Sequence, residues 1–225
     1  MAETKTSESL PYWLVNVPKP QWPAECPDFL RDISERNKAM ISVLESEFRR
    51  LTWPEVQELV KTNEIDKFRR SPLDQRRYKQ FVYGLNKQYG SVTDFVREER
   101  LKWNDIEPSK AAPFQDPNDI KILYNDWPYG IDKSIVHLVV WTKFVLEDDP
   151  ETDDLTPKMR KDIDEYVVRT FGSRVPPDKI IWFKNWGSIK SIHGLEHFHV
   201  MLKDPDGDFL REITNGDVAV SDQLP

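Results

Sequence analysis

The sequence predicts an α+β protein in which an N-terminal helical region packs on a mainly antiparallel sheet with one main helix. Apolar residues recur every three to four positions within residues 27–105, whereas strand-length apolar runs are spaced along residues 119–204. The proline-containing stretch 106–118 between them has no period and predicts a linker. Residues 1–26 are predicted to form an extended arm, and residues 205–225 an acidic, solvated tail.

The helical region is predicted to contain four helices. Its first apolar repeat indicates one long amphipathic helix, and N-terminal capping residues mark the three that follow. Thr52 opens the second helix, and Ser71 opens the third, which Gly90 closes. Ser91 opens the fourth, which ends near residue 103. The apolar residues of the first repeat are Leu30, Ile33, Met40, Val43, Leu44 and Phe48.

Four strands and one helix are predicted after the linker. The run Ile135–Trp141 is apolar almost throughout, which is typical of a buried central strand. Thr156 and Pro157 begin a helix that Gly172 ends. The order strand, strand, helix, strand, strand favours a mainly antiparallel sheet. The predicted strands are Ile120–Tyr124, Ile135–Trp141, Lys179–Lys184 and Glu196–Leu202.

Charge and composition narrow the classes of function. The chain has 39 acidic against 32 basic residues, and the net charge of −7 argues against charge-driven binding to nucleic acid or to an anionic membrane. No apolar run approaches the ~20 residues that span a bilayer, and the first residues lack a signal-peptide pattern. The single Cys26 excludes an internal disulfide. We expect a cytoplasmic protein, with the nucleus as the alternative, and no cofactor; the oligomeric state stays open.

The segment His193–His199 holds three of the chain's four histidines. If Glu196–Leu202 is a strand, its period of two places His197, His199 and Met201 on one face. One interpretation is that these are partly buried histidines bonded to backbone carbonyl groups. Their clustering favours the other interpretation, a functional site.

Two chemistries use clustered imidazoles, and both stay open at this point. A histidine that attacks phosphorus needs a neutral, oriented ring and donors for the phosphate oxygens. The loop 185–194 supplies small residues, hydroxyl groups and Lys190 for such a cradle. A metal site instead needs three ligands and an open position. The candidate ligands are His193, His197, His199, Glu196 and the distant His137.

Residues 123–204 resemble the histidine-triad family of nucleotidyl hydrolases and transferases. Asp126-Trp-Pro128 followed by His137-Leu-Val-Val-Trp-Thr-Lys143 is similar to the early strand of that family. Asn185-Trp-Gly187 is similar to the end of its next strand, and His197-Phe-His199-Val-Met201-Leu-Lys203 to its histidine strand. The resemblance implies a histidine-triad-like (HIT-like) antiparallel fold over residues 119–204.

The same resemblance implies roles for individual residues. His199 would attack phosphorus, and His197 would help to orient it. His193 has no counterpart in the family and is a third candidate catalytic residue, because it can replace a lost phosphate contact. Met201 stands where the hydrolases have His, and Thr142 stands where the family has Pro. The candidate substrate-binding residues are His137, Asn185, Ser191, Lys190, Trp186 and Asp126.

The whole chain also resembles the fungal family named after an N-acetylglucosamine-induced protein. The segments Trp127–Lys143, Trp182–Trp186 and Glu196–Val200 look like the most recognisable stretches of that family. This resemblance implies a link to amino-sugar metabolism through regulation, and it assigns no reaction.

These observations predict a variant histidine-triad-like enzyme that hydrolyses or transfers a phosphoester or phosphoanhydride of a nucleotide or nucleotide sugar. The expected partner is therefore a small phosphorylated ligand. Two alternatives stay open: a non-catalytic binding or regulatory protein of amino-sugar metabolism, and a metal-dependent enzyme with histidine ligands.

Two other features belong to neither histidine segment. The basic stretch Lys67–Lys79 fits a solvated helix face balanced by the excess of acidic residues, with phosphate binding as the alternative. Aromatic residues flank both histidine segments, where they fit either stacking on a base or sugar or packing in the core. They are Trp127, Tyr129, Trp141, Trp182 and Trp186.

Overall fold

A four-stranded antiparallel sheet forms the centre of the structure, a computed structural model that describes residues 10–152, 154–186, 190, 192 and 194–224. The strands are β1 (Ile120–Tyr124), β2 (Ile135–Thr142), β5 (Ile180–Phe183) and β6 (Glu196–Lys203), and a separate hairpin pairs β3 (Asp148–Asp149) with β4 (Asp154–Leu155). The order across the sheet is β1, β2, β6, β5. The α+β class and the four predicted strands are confirmed.

The first predicted helix is wrong, because the chain breaks it into short pieces. α1 covers Asp28–Arg31 and α2 covers Glu35–Ile41, and a 3₁₀ turn follows at Glu45–Glu47. Ser34 separates the two helices: its hydroxyl oxygen accepts a hydrogen bond from the backbone N–H of Asn37, which makes it an N-cap rather than a helix interior residue. Periodicity alone did not reveal this cap.

The three predicted caps that follow are confirmed. Thr52 and Glu55 form a capping box at the start of α3 (Trp53–Lys61). Ser71 caps α4 (Pro72–Tyr89), which ends at Gly90 with φ of +82°. Ser91 caps α5 (Val92–Phe95), which continues as one π-helical stretch, Val96–Leu101. None of the described helices is both long and apolar enough to cross a bilayer.

One face of the sheet packs on the main helix, α6 (Pro157–Phe171). Leu138 and Val140 of β2 and Phe198 and Val200 of β6 are fully buried on this face. They form a single apolar cluster with the buried side of α6, which Thr156 caps as predicted. The residues that α6 buries are Met159, Ile163, Tyr166, Val167 and Phe171.

The helical region covers the opposite face of the sheet. Phe95 and Leu101 pack on Val139 and Trp141 of β2. Residues of α3 and of the turn that follows it, including Val56 and Phe68, pack on Met201 and on Phe183 of β5 in a second cluster. His137, His197 and His199 lie on this covered face, because they alternate with the residues that face α6.

The N-terminal arm lies against the helical region. The hydroxyl group of Tyr12 donates to the carbonyl oxygen of Leu30 at 2.6 Å, and Arg76 donates to the carbonyl oxygen of Trp13 at 2.8 Å. Two short 3₁₀ turns, Tyr12–Leu14 and Lys19–Gln21, interrupt the extended course expected for it.

The C-terminal segment is not the solvated tail that its acidic residues predicted. It forms α7 (Gly207–Ile213) and α8 (Val220–Gln223). Asp206 caps α7, and Phe209 and Leu210 are buried in the α6 cluster. The acidic turn therefore begins a helix with an apolar side. The predicted solvated tail is wrong because these two side chains are buried.

Arg100 joins this segment to the rest of the protein. Its guanidinium group bonds both carboxylate oxygens of Asp217 at 2.8 and 2.9 Å, and its Nε bonds Asp126 at 3.0 Å. Asp217 also accepts the backbone N–H of Tyr124, and Asp126 accepts that of Val220. Burial raises the pKa of Asp126, against the opposing effect of Arg100. These ion pairs are largely shielded from water, so each charge depends on the others.

Replacing Arg100 with Met leaves Asp126 and Asp217 without a counter-charge. We expect the free energy of unfolding to fall by about 3 kcal/mol, measured by urea denaturation. Arg97→Met is the matched control, because the Arg97–Asp94 pair is much more open to solvent than the Arg100 pairs, and such pairs contribute about 0–1 kcal/mol. Equal losses in the two variants would show that the Arg100 cluster stabilises no more than a surface pair.

Candidate functional site

Two histidines from neighbouring strands form a direct hydrogen bond on the covered face of the sheet. Nε2 of His137 in β2 lies 3.0 Å from Nδ1 of His199 in β6. Their side chains are almost completely buried, and Phe183 stacks on the ring of His199 with 5.0 Å between centroids. The register of β2 and β6 sets this pairing, because Val139 lies opposite His199 and Met201 lies opposite His137.

Amide side chains extend the pair at both ends. Nδ2 of Asn185 lies 3.1 Å from Nε2 of His199, and Nδ2 of Asn125 lies beside the His137 ring, 3.2 Å from Nε2 and 3.4 Å from Nδ1. With the amide group of Asn185 donating to Nε2, the proton of neutral His199 is on Nδ1 and points at His137. Both nitrogens of His199 are therefore occupied by protein partners.

His197 has a different environment. Its Nδ1 lies 2.9 Å from the carbonyl oxygen of Leu195, an acceptor, so Nδ1 carries the proton of the neutral ring and Nε2 keeps a free lone pair. Among the described residues, Nε2 has no hydrogen-bond partner. The ring lies against Trp141, with 4.6 Å between centroids. His197 is thus an oriented neutral imidazole with one basic nitrogen available.

All three imidazoles are neutral at physiological pH. Burial lowers the pKa of His137 to about 3, with a smaller effect from Arg70. Burial lowers the pKa of His197 to about 4, although the bond to Leu195 opposes this. Burial and the neighbouring histidines hold the pKa of His199 well below its usual value. A neutral ring is the form that acts as a nucleophile or a base.

His197 and His199 line a cavity of about 110 Å³ between the sheet and the helical region. Its walls are mainly aromatic and aliphatic, and Arg70 and Arg100 provide positive charge. Within the described residues, two polar atoms in the walls are buried without a hydrogen-bond partner: Nε1 of Trp127, a donor, and Oδ1 of Asn185, an acceptor. Because unpaired buried polar atoms are costly, these two mark places where a ligand or water would bond. The aromatic lining residues are Tyr78, Phe81, Phe95, Tyr124, Trp127, Tyr129 and Trp141.

The structure brings together some of the predicted site residues and separates others. His197, His199, Asn185 and Asp126 line the cavity, whereas His137 is not part of its lining and is hydrogen-bonded to His199. Asp126 was predicted to bind substrate, but its carboxylate is already bonded to Arg100 and to the N–H of Val220. These contacts give it a structural role.

Two further candidates, both expected to bind substrate, lie outside this lining. Lys190 is buried and pairs with Glu196 at 3.7 Å. Trp186 packs with the cluster that contains Phe183 and Met201. Ser191 and His193 lie outside the described residues. Met201 is fully buried in that cluster, so the third position of the histidine strand belongs to the core.

Sequence reasoning missed two residues of the site. Asn125 follows β1 directly, and its backbone N–H bonds the carbonyl oxygen of His137, which places its amide group beside that histidine. Arg70 was seen only as part of a basic stretch. The adjacency of Asn125 to Asp126 was a usable signal, whereas nothing local to Arg70 indicated that it faces histidines from the sheet.

The metal alternative finds no complete ligand set in the described part of the chain. No group of three or more His, Cys, Asp or Glu side chains there has a geometry that could hold an ion. His137 and His199 direct nitrogens at each other, and the protonated nitrogen of His197 faces a carbonyl group. The contact between His137 and His199 occupies two of the ring nitrogens that a metal would need, and His197 offers only Nε2.

The fold and the site together define an α+β protein with a buried, neutral histidine cluster between its sheet and its helical region. A family model described as "Protein of unknown function (DUF3605)" matches residues 52–203. The chain belongs to this family. It is 32% identical over 185 residues to N-acetylglucosamine-induced protein 1 of Candida albicans, covering 73% of each chain. The predicted membership of the fungal N-acetylglucosamine-induced family is confirmed.

Two further similarities are more distant. The chain is 24% identical over 162 residues to an uncharacterized protein of Saccharomyces cerevisiae, covering 68% of this chain and 79% of the other. A solved structure described as "Crystal Structure of HTC1" has a TM-score of 0.57 at 19% identity, covering 73% of this chain and 96% of that one. This likeness concerns the fold alone. None of these comparisons names a reaction, and the histidine-triad resemblance stays a prediction.

The three buried histidines predict a loss of stability in mild acid. Unfolded histidine titrates near ~6.5, whereas burial lowers the pKa of His137 to about 3 and that of His197 to about 4, and holds the pKa of His199 well below its usual value. Below pH 6.5 the unfolded chain therefore binds protons that the folded chain does not. We expect the free energy of unfolding, fully present above pH 6.5, to fall by roughly 4 kcal/mol between pH 7.5 and 5.5.

Urea denaturation across this range measures the effect. His199→Gln removes one titrating group, so the slope of the unfolding free energy against pH should fall by about a third, whatever the absolute stability of the variant. A wild-type stability that is flat between pH 7.5 and 5.5 would contradict the buried, neutral state of the cluster.

Proposed function

We propose that this protein is an enzyme that transfers or hydrolyses a phosphoryl or nucleotidyl group, with His197 as the nucleophile. The observation that carries the proposal is the contact between Nδ1 of His197 and the carbonyl oxygen of Leu195 at 2.9 Å. This contact fixes the tautomer in which Nε2 is basic and unprotonated. A histidine nucleophile on phosphorus needs this state, and burial keeps the ring neutral.

The reaction takes place in two displacements. The lone pair on Nε2 attacks phosphorus, an N–P bond forms, the bond from phosphorus to the leaving group breaks, and the leaving group takes a proton from water. A water molecule or a second acceptor alcohol then attacks phosphorus, loses its proton, and the N–P bond breaks. Splitting one displacement into two is the general advantage of a covalent nucleophile.

His199, the nucleophile expected from the sequence, serves this proposal better as a positioning residue. Its Nε2 is occupied by Asn185 and its Nδ1 by His137. Attack by Nε2 of His199 would first require breaking the bond to Asn185. The His199 ring also lies 5.6 Å from that of His197, between centroids, and so limits the space in which His197 can turn.

The cavity supports a substrate that combines a phosphate with a flat group. Its volume of about 110 Å³ is below the ~300–1,000 Å³ of pockets that enclose a whole drug-sized ligand. A nucleotide or nucleotide sugar would therefore place only part of itself between the aromatic walls, which suit stacking on a base. The unpaired Nε1 of Trp127 and Oδ1 of Asn185 would give that part polar contacts.

His197→Asn is expected to abolish turnover, whereas His199→Gln should reduce it less, because Gln still bonds Asn185. The assay uses a panel of nucleoside phosphoramidates, dinucleotides and nucleotide sugars. N-acetylglucosamine phosphates belong in the panel because of the name of the Candida relative. Mass spectrometry of wild-type protein quenched at alkaline pH should detect the phosphorylated or nucleotidylated His197.

Both variants need folded-state controls by circular dichroism and thermal unfolding. Full activity of His197→Asn together with loss in His199→Gln would restore His199 as the nucleophile and overturn the proposal. Absence of turnover by the wild type across the panel would contradict the proposal that the protein is an enzyme of this class.

A second candidate is a protein that keeps the pocket and binds a ligand without reacting. Met201 favours it, because this fully buried side chain replaces a polar residue of the histidine-triad strand with part of the apolar core. Under this candidate a nucleotide or sugar phosphate raises the melting temperature and is recovered unchanged. Failure of every compound in the panel to shift the melting temperature would count against it.

A further inference from the structure

A second cleft lies beside the histidine cavity, between α2, the turn at Ile65–Lys67 and the first turns of α4. Its volume is about 310 Å³, larger than that of the histidine cavity. Four cationic side chains line it: Arg36, Arg69, Arg70 and Lys79. We call this cleft the arginine groove.

The positive charges of the arginine groove are not balanced by carboxylates. Within the part of the chain that the structure describes, none of the four cations lies within 4.0 Å of a carboxylate oxygen, whereas ion pairs are spread over the rest of the surface. The one acidic residue in the lining is Asp66, and Arg36 bonds its backbone carbonyl oxygen. In a chain of net charge −7, four unpaired cations in one cleft are a local positive field.

Arg70 is held in the groove by neutral partners. Its Nε donates to the carbonyl oxygen of Trp127 at 2.9 Å, and Nη1 lies 3.5 Å from Oε1 of Gln75. Gln75 is buried, and its amide nitrogen donates to Asn37 at 2.9 Å. The guanidinium plane also covers the ring of Tyr78, with 4.0 Å from Cζ to the centroid. Arg70 is therefore oriented but keeps its full charge for another partner.

The neighbouring Lys79 shows the same lack of an acidic partner. Burial lowers its pKa, and the positive charge of Arg70 lowers it further. A bound anion would offset both effects. Arg70, Tyr78 and Tyr129 line the arginine groove and the histidine cavity alike, so a ligand in one is adjacent to the other.

We propose that the arginine groove is an anion site that binds a phosphate group of a small-molecule ligand. Guanidinium groups match the paired oxygens of a phosphate, and Lys79 adds a point charge. The proposal does not require His197 to react, because the groove residues are separate from the histidines. If both proposals hold, the ligand carries a second anionic group that Arg70 holds next to the reacting one.

The test is isothermal titration of the full chain with inorganic pyrophosphate and with inorganic phosphate at low ionic strength. We expect one site per chain, with pyrophosphate bound more tightly than phosphate. Arg69→Gln and Lys79→Gln should each weaken pyrophosphate binding about fivefold to tenfold, and the double variant more. Arg69 is exposed and has no hydrogen-bonding side-chain partner in the described residues, so its replacement should leave the fold intact.

Lys110→Gln is the matched control, because it removes one positive charge from an exposed position outside the groove. It should bind pyrophosphate as the wild type does, and so should His197→Asn, which separates this proposal from the catalytic one. No binding by the wild type would overturn the proposal. An equal loss of pyrophosphate affinity in Lys110→Gln would also overturn it, as would acetate binding as strong as that of phosphate. A loss of pyrophosphate affinity in His197→Asn with no loss in Arg69→Gln would overturn it as well.

Discussion

The pairing of β2 with β6 is the constraint on which the rest of the site depends. Eight residue pairs fix the register, and a shift by one residue would move every side chain to the other face of the sheet. The two strands place Phe198 and Val200 against α6 and leave the imidazoles on the side that the helical region covers. The register that buries the apolar side chains on one face therefore also fixes which side chains lie on the other face, because one register sets both.

Burial then separates the histidines into two roles. A buried imidazole needs partners for its polar atoms, and His137, His199 and Asn185 supply these to one another. His197 satisfies only Nδ1, through Leu195; within the described residues its Nε2 has no partner, and the residue lines the cavity. The hydrogen bonds through His199 thus tie up one ring, whereas the neighbouring ring keeps a basic nitrogen.

The sequence predicted the strands and the helix caps because both are local. Alternation identified the histidine face of β6, and Ser71 and Ser91 each cap the helix they were assigned to. The prediction from sequence failed at Ser34, where a cap lies inside an apolar repeat, and at Asp206, which caps a helix within an acidic turn. In the site, the strand pattern placed His197 and His199 on the same face. It could not show which of the two has an unoccupied nitrogen, because their partners are Leu195 and the distant Asn185 and His137. Such contacts leave no periodic signal in the sequence.

The helical region forms part of the site, because residues from both the helices and the sheet line the cavity. Tyr78 and Phe81 of α4 face Trp127 and Trp141 across it, and Arg70 lies between the cavity and the arginine groove. The family match, which begins at residue 52 and ends at 203, includes α3 to α5 together with the sheet, and it leaves out the arm, α1 and α2. A sheet with histidines alone would expose neutral rings to water and raise their pKa values toward the ordinary range. Covering them with helices keeps the rings neutral and also brings Arg70 to the cavity, a cation that no carboxylate in the described residues pairs with. In the proposed reaction, the positive charge and the nucleophile therefore come from different halves of the chain.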